Sequence, residues 1–223
     1  MTAPRWCDVC GAPLAERRRA DTRACSDRCR KRRQRGQIAP RSVRLANRWG
    51  LKPGDFWRTP PEIVAARGPF TMDAFAAGPD DAVAPAWLSP LDDALLVPWG
   101  AEGGRVWWNP AYSLGILGVL VKALREAERG VSSVGLVPVD TSTEWWALAC
   151  RRARKLEAIK GRVSFLHPDT GRPVHGTRFD SVLVHIEPGY SGPAVHTQVS
   201  LRVLRADGLR ALGEPVPKRL EAA

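Results

Sequence analysis

Residues 105–112 read Arg105-Val106-Trp107-Trp108-Asn109-Pro110-Ala111-Tyr112: a short apolar run that stops on Asn-Pro and is followed by an aromatic ring. In an open α/β sheet the loops at the carboxyl ends of parallel strands build the ligand site, so a polar and an aromatic side chain there are placed for chemistry. Outward from this point, the apolar runs Phe70–Met72, Val106–Trp108, Ser133–Pro138, Ala158–Ile159 and Ser181–Ile186 alternate with helical stretches at Pro61–Arg67, Ile116–Arg129 and Thr143–Arg154. That alternation predicts a Rossmann-like α/β domain, a mainly parallel sheet with helices on both faces.

Asn109, Pro110 and Tyr112 are the candidate catalytic residues. An exocyclic base amine is a poor nucleophile because its lone pair is delocalised into the ring. The side-chain oxygen of Asn109 and the carbonyl of Pro110 can each accept one of its N–H groups and move the nitrogen towards a geometry fit for attack. Pro110 fixes φ and aims the chain. Tyr112 can stack on a base flipped out of a duplex. Alone, Asn-Pro is also ordinary turn chemistry.

Charge divides the chain sharply. Residues 1–52 hold 15 Lys and Arg against 4 Asp and Glu, whereas residues 53–223 hold 19 of each, so the whole excess of +11 lies in the N-terminal quarter. A basic segment on a neutral domain suits a polyanion, with nucleic acid the leading partner. Within it, Cys7 and Cys10 form a C-x2-C, and Cys25 and Cys29 form a C-x3-C after a spacer of 14 residues. Four soft ligands in two close pairs suit tetrahedral structural zinc. Apolar residues are so scarce there that metal must offset the entropy of ordering. Ser26 is placed to cap a helix from Asp27, from which Arg28, Arg30, Lys31, Arg32, Arg33 and Arg35 project as candidate DNA contacts. The pattern resembles the small treble-clef-like zinc ribbons attached to phage and bacterial DNA-acting proteins. Cys150 reads as a buried small apolar side chain, and the four histidines have neither metalloprotease nor triad spacing.

From residue 55 onward the chain resembles the phage-type Dam-like DNA N-6-adenine methyltransferase family. The motifs are Phe56-Trp57-Arg58-Thr59-Pro60-Pro61, Phe70-Thr71-Met72-Asp73-Ala74-Phe75-Ala76, Asp92-Asp93-Ala94-Leu95 and then Asn109-Pro110-Ala111-Tyr112. Lys122-Ala123, Leu136-Val137-Pro138, Thr141, Thr143, Trp145 and Gly161-Arg162-Val163-Ser164-Phe165 follow in order. The resemblance implies a class I methyltransferase fold that uses S-adenosylmethionine. By it, Trp57, Thr59, Pro60, Asp73, Phe75 and Ala76 surround the methionine end of the cofactor, and Asp93 approaches its adenosine half. Ala111 replaces the second proline of the family's usual Asn-Pro-Pro-Tyr, and Asp140 stands where the family usually has a basic residue. Ala111 keeps the Pro110 carbonyl and both functional side chains but weakens the expected activity, and Asp140 is expected to alter DNA or substrate positioning.

The expected organisation is a four-cysteine zinc-ribbon-like module over 1–36, a basic linker over 37–54 with a helical turn near Val43 to Trp49, a methyltransferase domain over 55–215 and a tail over 216–223. The expected activity is methyl transfer to adenine N6 in DNA, in a phage or prophage setting and with a link to restriction-modification. Methylation of cytosine N4, of RNA or of a protein glutamine, and an inactive zinc-ribbon DNA-binding protein, stay open. No apolar run approaches the roughly 20 residues of a membrane span and no secretion-signal pattern opens the chain, so a cytoplasmic protein is expected. The stretch from Phe165 to Tyr190 reads as a hairpin insertion that touches DNA.

Overall fold

Alternation of short strands with amphipathic helices gives the chain order below, taken from a computed structural model that describes residues 5–15, 19, 21–40, 43, 44, 46, 47, 50–175 and 177–221. The elements are α1 (Asp27–Gln34), α2 (Pro61–Ala65), β1 (Met72–Asp73), β2 (Ala86–Trp87), β3 (Arg105–Trp108), α3 (Ile116–Glu128), β4 (Ser132–Pro138), α4 (Glu144–Arg152), β5 (Lys155–Lys160), β6 (Ser181–Ile186), β7 (Val195–Ser200), α5 (Leu201–Ala211) and α6 (Lys218–Glu221). The chain divides into two compact units, one of Met1–Trp57 with His167–Arg172, the other of Arg58–Leu166 with Pro173–Ala223.

In the larger unit seven strands form one sheet in the order β2-β1-β3-β4-β6-β5-β7. All neighbouring pairs are parallel except those of β6, which runs against both β4 and β5. Strands buried on both faces read as continuous apolar runs. Accordingly, every residue of β6 is buried, and so are five successive residues of β4. Val106 and Trp108 of β3 join a core with Val119, Leu120 and Ala123 of α3 and Trp145 and Ala149 of α4. Trp107, pointing the other way, meets Phe70 with ring centroids 5.4 Å apart. α2 and α5 pack on each other, pinned by Arg205 Nε to Glu62 at 2.9 Å. No helix among the described residues is long and apolar enough to cross a membrane.

Trp108 explains one residue of the neighbouring strand. Its indole N–H donates to Ser133 Oγ at 3.2 Å, and its ring lies across Gly135, where a Cβ would come within 2.2 Å of the six-membered ring. Since both residues are in the packed core, nothing can give way cheaply. Gly135→Ala is therefore expected to lower stability by about 3 kcal/mol. Denaturant unfolding checks this, and an unchanged midpoint would show that the ring is free to move.

A buried charge cluster ties β5 to β6. Glu157 accepts from Arg67 Nε at 2.7 Å, from Lys155 Nζ at 3.2 Å and from His185 Nε2 at 3.3 Å. Burial alone would raise the Glu157 carboxyl, but the His185 and Arg67 hydrogen bonds and the two cations outweigh it and hold it well below the usual carboxylate range. Burial pushes His185 down, and the neutral ring can still donate through Nε2.

Element boundaries differ from the sequence reading in instructive places. The Phe70–Met72 run is strand only at Met72–Asp73, because Gly68-Pro69 and Phe70 lie in the approach to it. β2, β7 and α5 are additions to the elements expected from sequence. β7 is mostly exposed on an edge and lacks an apolar signature. Within Phe165 to Tyr190, pairing of Leu166 with Pro173 makes a short hairpin, and β6 occupies the later part of the stretch. Cys150 is half-buried against the core rather than enclosed.

In the smaller unit Val43, Arg44, Ala46 and Asn47 are helical; positions 45, 48 and 49 of the expected turn lie outside the described residues. The stretch read as a linker is bonded to the cysteine loops. Ala39 N–H donates to the Val9 carbonyl at 2.9 Å and Asn47 Nδ2 to the Cys10 carbonyl at 2.7 Å.

Candidate active site

β1 and β3 are parallel neighbours with Asp73 opposite Trp107, and the Ala74 N–H bonds the Trp107 carbonyl at 2.9 Å. The turn carrying Asp73, Phe75 and Ala76 and the turn carrying Asn109, Pro110 and Tyr112 therefore leave the same edge of the sheet, side by side. This is the ligand edge of a parallel α/β sheet.

Asn109 is half-buried. Its Nδ2 donates to Thr59 Oγ1 at 3.1 Å, whereas its Oδ1 is buried and has no hydrogen-bond partner among the described residues. Buried polar atoms are nearly always paired, so an acceptor left open here points to a donor that arrives with a ligand. Pro110 is buried. The next two carbonyls close the following 3-10 turn, Ala111 to Leu114 N–H at 2.9 Å and Tyr112 to Gly115 N–H at 3.3 Å. Ala111 itself sits at φ −56 and ψ 118. Proline would impose nearly the same φ, so the loop keeps the shape of the two-proline motif without its second proline.

Tyr112 is half-buried, with its hydroxyl 3.5 Å from the Leu136 carbonyl and its ring edge-on to Phe179 at 5.5 Å. Burial pushes its phenol above the usual range, so it stays protonated. Phe179 in turn meets Phe165 at 6.4 Å. Asp73 is 5% exposed and accepts backbone N–H groups from Phe75 at 3.1 Å and Val83 at 3.2 Å. Burial raises its carboxyl to about 6 against those two bonds, and the Asp81 charge adds to the rise. Asp73 has no ion-pair partner among the described residues. A buried carboxylate without a cation fits the ammonium or sulfonium of S-adenosylmethionine.

The other residues expected at the cofactor are placed as follows. Thr59 and Pro60 are buried, with Thr59 on Asn109 and Pro60 preceding α2. Phe75 meets Trp99 edge-on at 6.2 Å, and Ala76 is buried. The Trp99 indole N–H bonds the Ala94 carbonyl at 2.8 Å, which links Phe75 to the loop of Asp93. Asp93 is exposed at φ 44 and caps Leu95 N–H at 3.2 Å. Trp57 is the last residue of the smaller unit's main segment, half-buried with its indole against Gly54.

In the smaller unit the four cysteine sulfurs lie within 4.8 Å of one another. Cys10 and Cys25 are 3.6 Å apart, Cys25 and Cys29 3.6 Å, and Cys29 and Cys10 3.8 Å. Tetrahedral zinc with bonds of about 2.3 Å separates its sulfurs by about 3.8 Å, so the set fits that ion. Gly11, at φ +75, closes the first knuckle where a Cβ would strike the Arg44 carbonyl at 2.0 Å. Ser26 Oγ accepts the Cys29 N–H at 3.3 Å and starts α1. Arg28, Arg30, Lys31, Arg33 and Arg35 are exposed and Arg32 half-buried. Arg30 pairs with Asp27 at 2.7 Å and Arg33 with Asp8 at 3.6 Å, so those two cations are partly neutralised at home.

The family model described as DNA N-6-adenine-methyltransferase (Dam) matches residues 50–211. The chain belongs to this family. Within the Dam family, a DNA N-6-adenine-methyltransferase of Escherichia phage T1 is 29% identical over 171 residues, covering 68% of this chain and 66% of that protein. A DNA N-6-adenine-methyltransferase of Haemophilus phage HP1 (strain HP1c1) is 27% identical over 125 residues, covering 55% of this chain and 71% of its own length. The chain thus spans about two thirds of the curated relatives it matches. The Dam match begins beyond Cys29, so the cysteine module lies outside it.

Sequence reasoning passed over Arg58, which reaches Asp81 at 3.6 Å beside the Asp73 turn, and Phe165 and Phe179, which carry Tyr112. It also assigned Thr59 to the cofactor alone, because a pairing across 50 positions leaves no local signal.

Proposed function

We propose that this Dam-family chain transfers a methyl group from S-adenosylmethionine to the N6 amine of adenine in DNA, and that its four-cysteine module holds structural zinc and a DNA-gripping helix. The observation that carries the reading is the buried, unpartnered Asn109 Oδ1 at the end of β3. Asn109 Oδ1 and the Pro110 carbonyl accept the two N–H groups of the amine, Tyr112 stacks on the flipped base, and Asp73 faces the positive charge of the cofactor. When bound, S-adenosylmethionine supplies an electrophilic methyl group. There the S–CH3 bond would break as the N6–CH3 bond forms, with S-adenosylhomocysteine leaving and the surplus N6 proton lost to solvent, while Asn109 and Pro110 hold the amine for the attack. The names of the phage relatives support adenine N6 as the target.

The proposed division is a zinc module over 1–36, a basic linker over 37–54, a methyltransferase domain over 55–215 and a tail over 216–223. Arg28, Arg30, Lys31, Arg32, Arg33 and Arg35 bind DNA phosphates without reading sequence. Trp57, Thr59, Pro60, Phe75, Ala76 and Asp93 line the cofactor's path. Incubation of the purified, zinc-loaded protein with DNA and S-adenosylmethionine, followed by nucleoside mass spectrometry, is expected to yield N6-methyladenine. Product only as N4-methylcytosine would move the target, and no cofactor binding by calorimetry would end the enzyme reading.

Asp73 makes the reading pH-dependent. Its folded pKa of about 6 lies above the ordinary 3.8, so it favours the fold most below that ordinary value, and this contribution is lost as pH rises through about 6. Binding of the cationic cofactor needs the ionised form and runs the opposite way. Affinity is expected to fall by about tenfold per pH unit below 6. Calorimetry across pH 5 to 7.5 checks this. Asp73→Asn should flatten the profile, and a flat profile in the unmodified protein would remove Asp73 from the site.

A further inference from the structure

We propose that Thr59 is a positioning residue for methyl transfer, its hydroxyl oxygen accepting from Asn109 Nδ2 so that the amide oxygen is left open towards the base. The inference rests on the adenine-N6 reading and deepens it. The two ends of a carboxamide have nearly the same size and opposite hydrogen-bonding sign. With Oδ1 forward, Asn109 accepts an N–H of the target amine. With Nδ2 forward, two donors face each other and the nucleophile is not activated. Thr59 Oγ1 accepts from Nδ2 at 3.1 Å, and Thr59 is only 6% exposed, so water does not compete for that bond.

The hydroxyl is held by backbone on both sides. Before it, Arg58 N–H donates to the Leu166 carbonyl at 2.9 Å and Leu166 N–H donates to the Arg58 carbonyl at 2.8 Å. After it, Pro60 and Pro61 lead into α2, and Ile63 N–H bonds the Pro60 carbonyl at 2.9 Å. The neighbour of Leu166, Phe165, meets Phe179, which meets Tyr112. One paired segment thereby supports both polar and aromatic members of the catalytic loop.

The experiment is a double-mutant cycle in the full-length, zinc-loaded protein. Thr59→Val keeps the shape and removes the acceptor, and Thr59→Ser keeps the acceptor. Asn109→Asp replaces the amide by a carboxylate, which has acceptors at both ends and no wrong way round. With Asn109 present, Thr59→Val is expected to lower kcat on the order of 10- to 100-fold while KM for DNA and cofactor affinity change little. Thr59→Ser restores most of the rate. In the Asn109→Asp background Thr59→Val costs less than about threefold. Equal losses in both backgrounds, or a loss confined to cofactor affinity, would overturn the proposal and return Thr59 to a packing or cofactor-wall role.

A second readout does not depend on turnover. In nitrogen-15 spectra the Asn109 side-chain amide should show one hydrogen-bonded, slowly exchanging N–H that Thr59→Val abolishes. If it is absent from the unmodified protein, Thr59 does not orient the amide, whatever the activity. If it is present while no adenine is methylated, the orientation stands and the adenine-N6 reading fails. This signal also decides the case should Asn109→Asp be inactive.

Discussion

Asn109→Ala is expected to slow methyl transfer on the order of 100- to 1,000-fold while leaving DNA retention nearly intact. The substitution removes the one side-chain acceptor whose buried oxygen has no partner among the described residues of the catalytic loop. Preorganised groups aimed at developing charge are worth most where water is excluded, and their loss falls on the transition state more than on binding. The cost to stability should be small, about 1 kcal/mol, because Asn109 is half-buried and only the bond to Thr59 is lost. Retention is expected to be spared because the cations proposed to bind phosphates sit on α1, beyond the Dam match. Single-turnover rates with filter retention on the same DNA separate the two effects. Wild-type turnover from the variant would refute the assignment of the site.

Removal of metal, or Cys25→Ser, is expected to unfold the cysteine module outright. Among the described residues its buried core amounts to Cys7, Val9, Leu14, Ala24 and Cys29. So few apolar side chains cannot offset the ordering of the surrounding loops, whereas zinc in such four-cysteine settings contributes on the order of 10 kcal/mol. Burial would raise the Cys7 thiol, but backbone N–H groups of Cys25, Cys10 and Val9 bring it down to about 7, whereas burial pushes Cys10 up to about 12 and Cys25 upward, so forming all the thiolates needs the charge of the metal. Elemental analysis should find one zinc per chain. Chelation should then lower DNA retention and its salt dependence while the α/β unit keeps its own thermal transition. A metal-free protein with unchanged retention would contradict both the zinc and the role of α1.

Features with a strong local period are legible without any coordinates. α3 shows its apolar stripe from Ile116 to Ala127, and β4 and β6 show unbroken apolar runs because helices cover both faces of the sheet. The cysteine knuckles and the Ser26 cap depend on short spacings and are equally plain. β1 and β2 span only Met72–Asp73 and Ala86–Trp87, too short to carry a period, and exist because β3 offers β1 an edge and β1 offers one to β2. β7 is hidden by its exposed His196, Thr197 and Gln198. Of the residues proposed for the site, Asn109, Tyr112 and Asp73 are singled out by motif order. Their supports, Thr59, Arg58, Phe165 and Phe179, come from distant positions whose pairing is tertiary and leaves nothing in the local sequence. Ala111 already adopts a proline-like φ, so a change of backbone shape is not what the weakening expected from it would rest on.

Base-resolved methylation mapping of DNA from cells expressing the protein, beside cells expressing Asn109→Ala, tests the central claim most directly. N6-methyladenine should appear with the unmodified protein, at sites sharing a short sequence, and fall to background with the variant. Absence of N6-methyladenine with the unmodified protein, or its persistence with Asn109→Ala, would contradict the claim that the Asn109 loop methylates adenine.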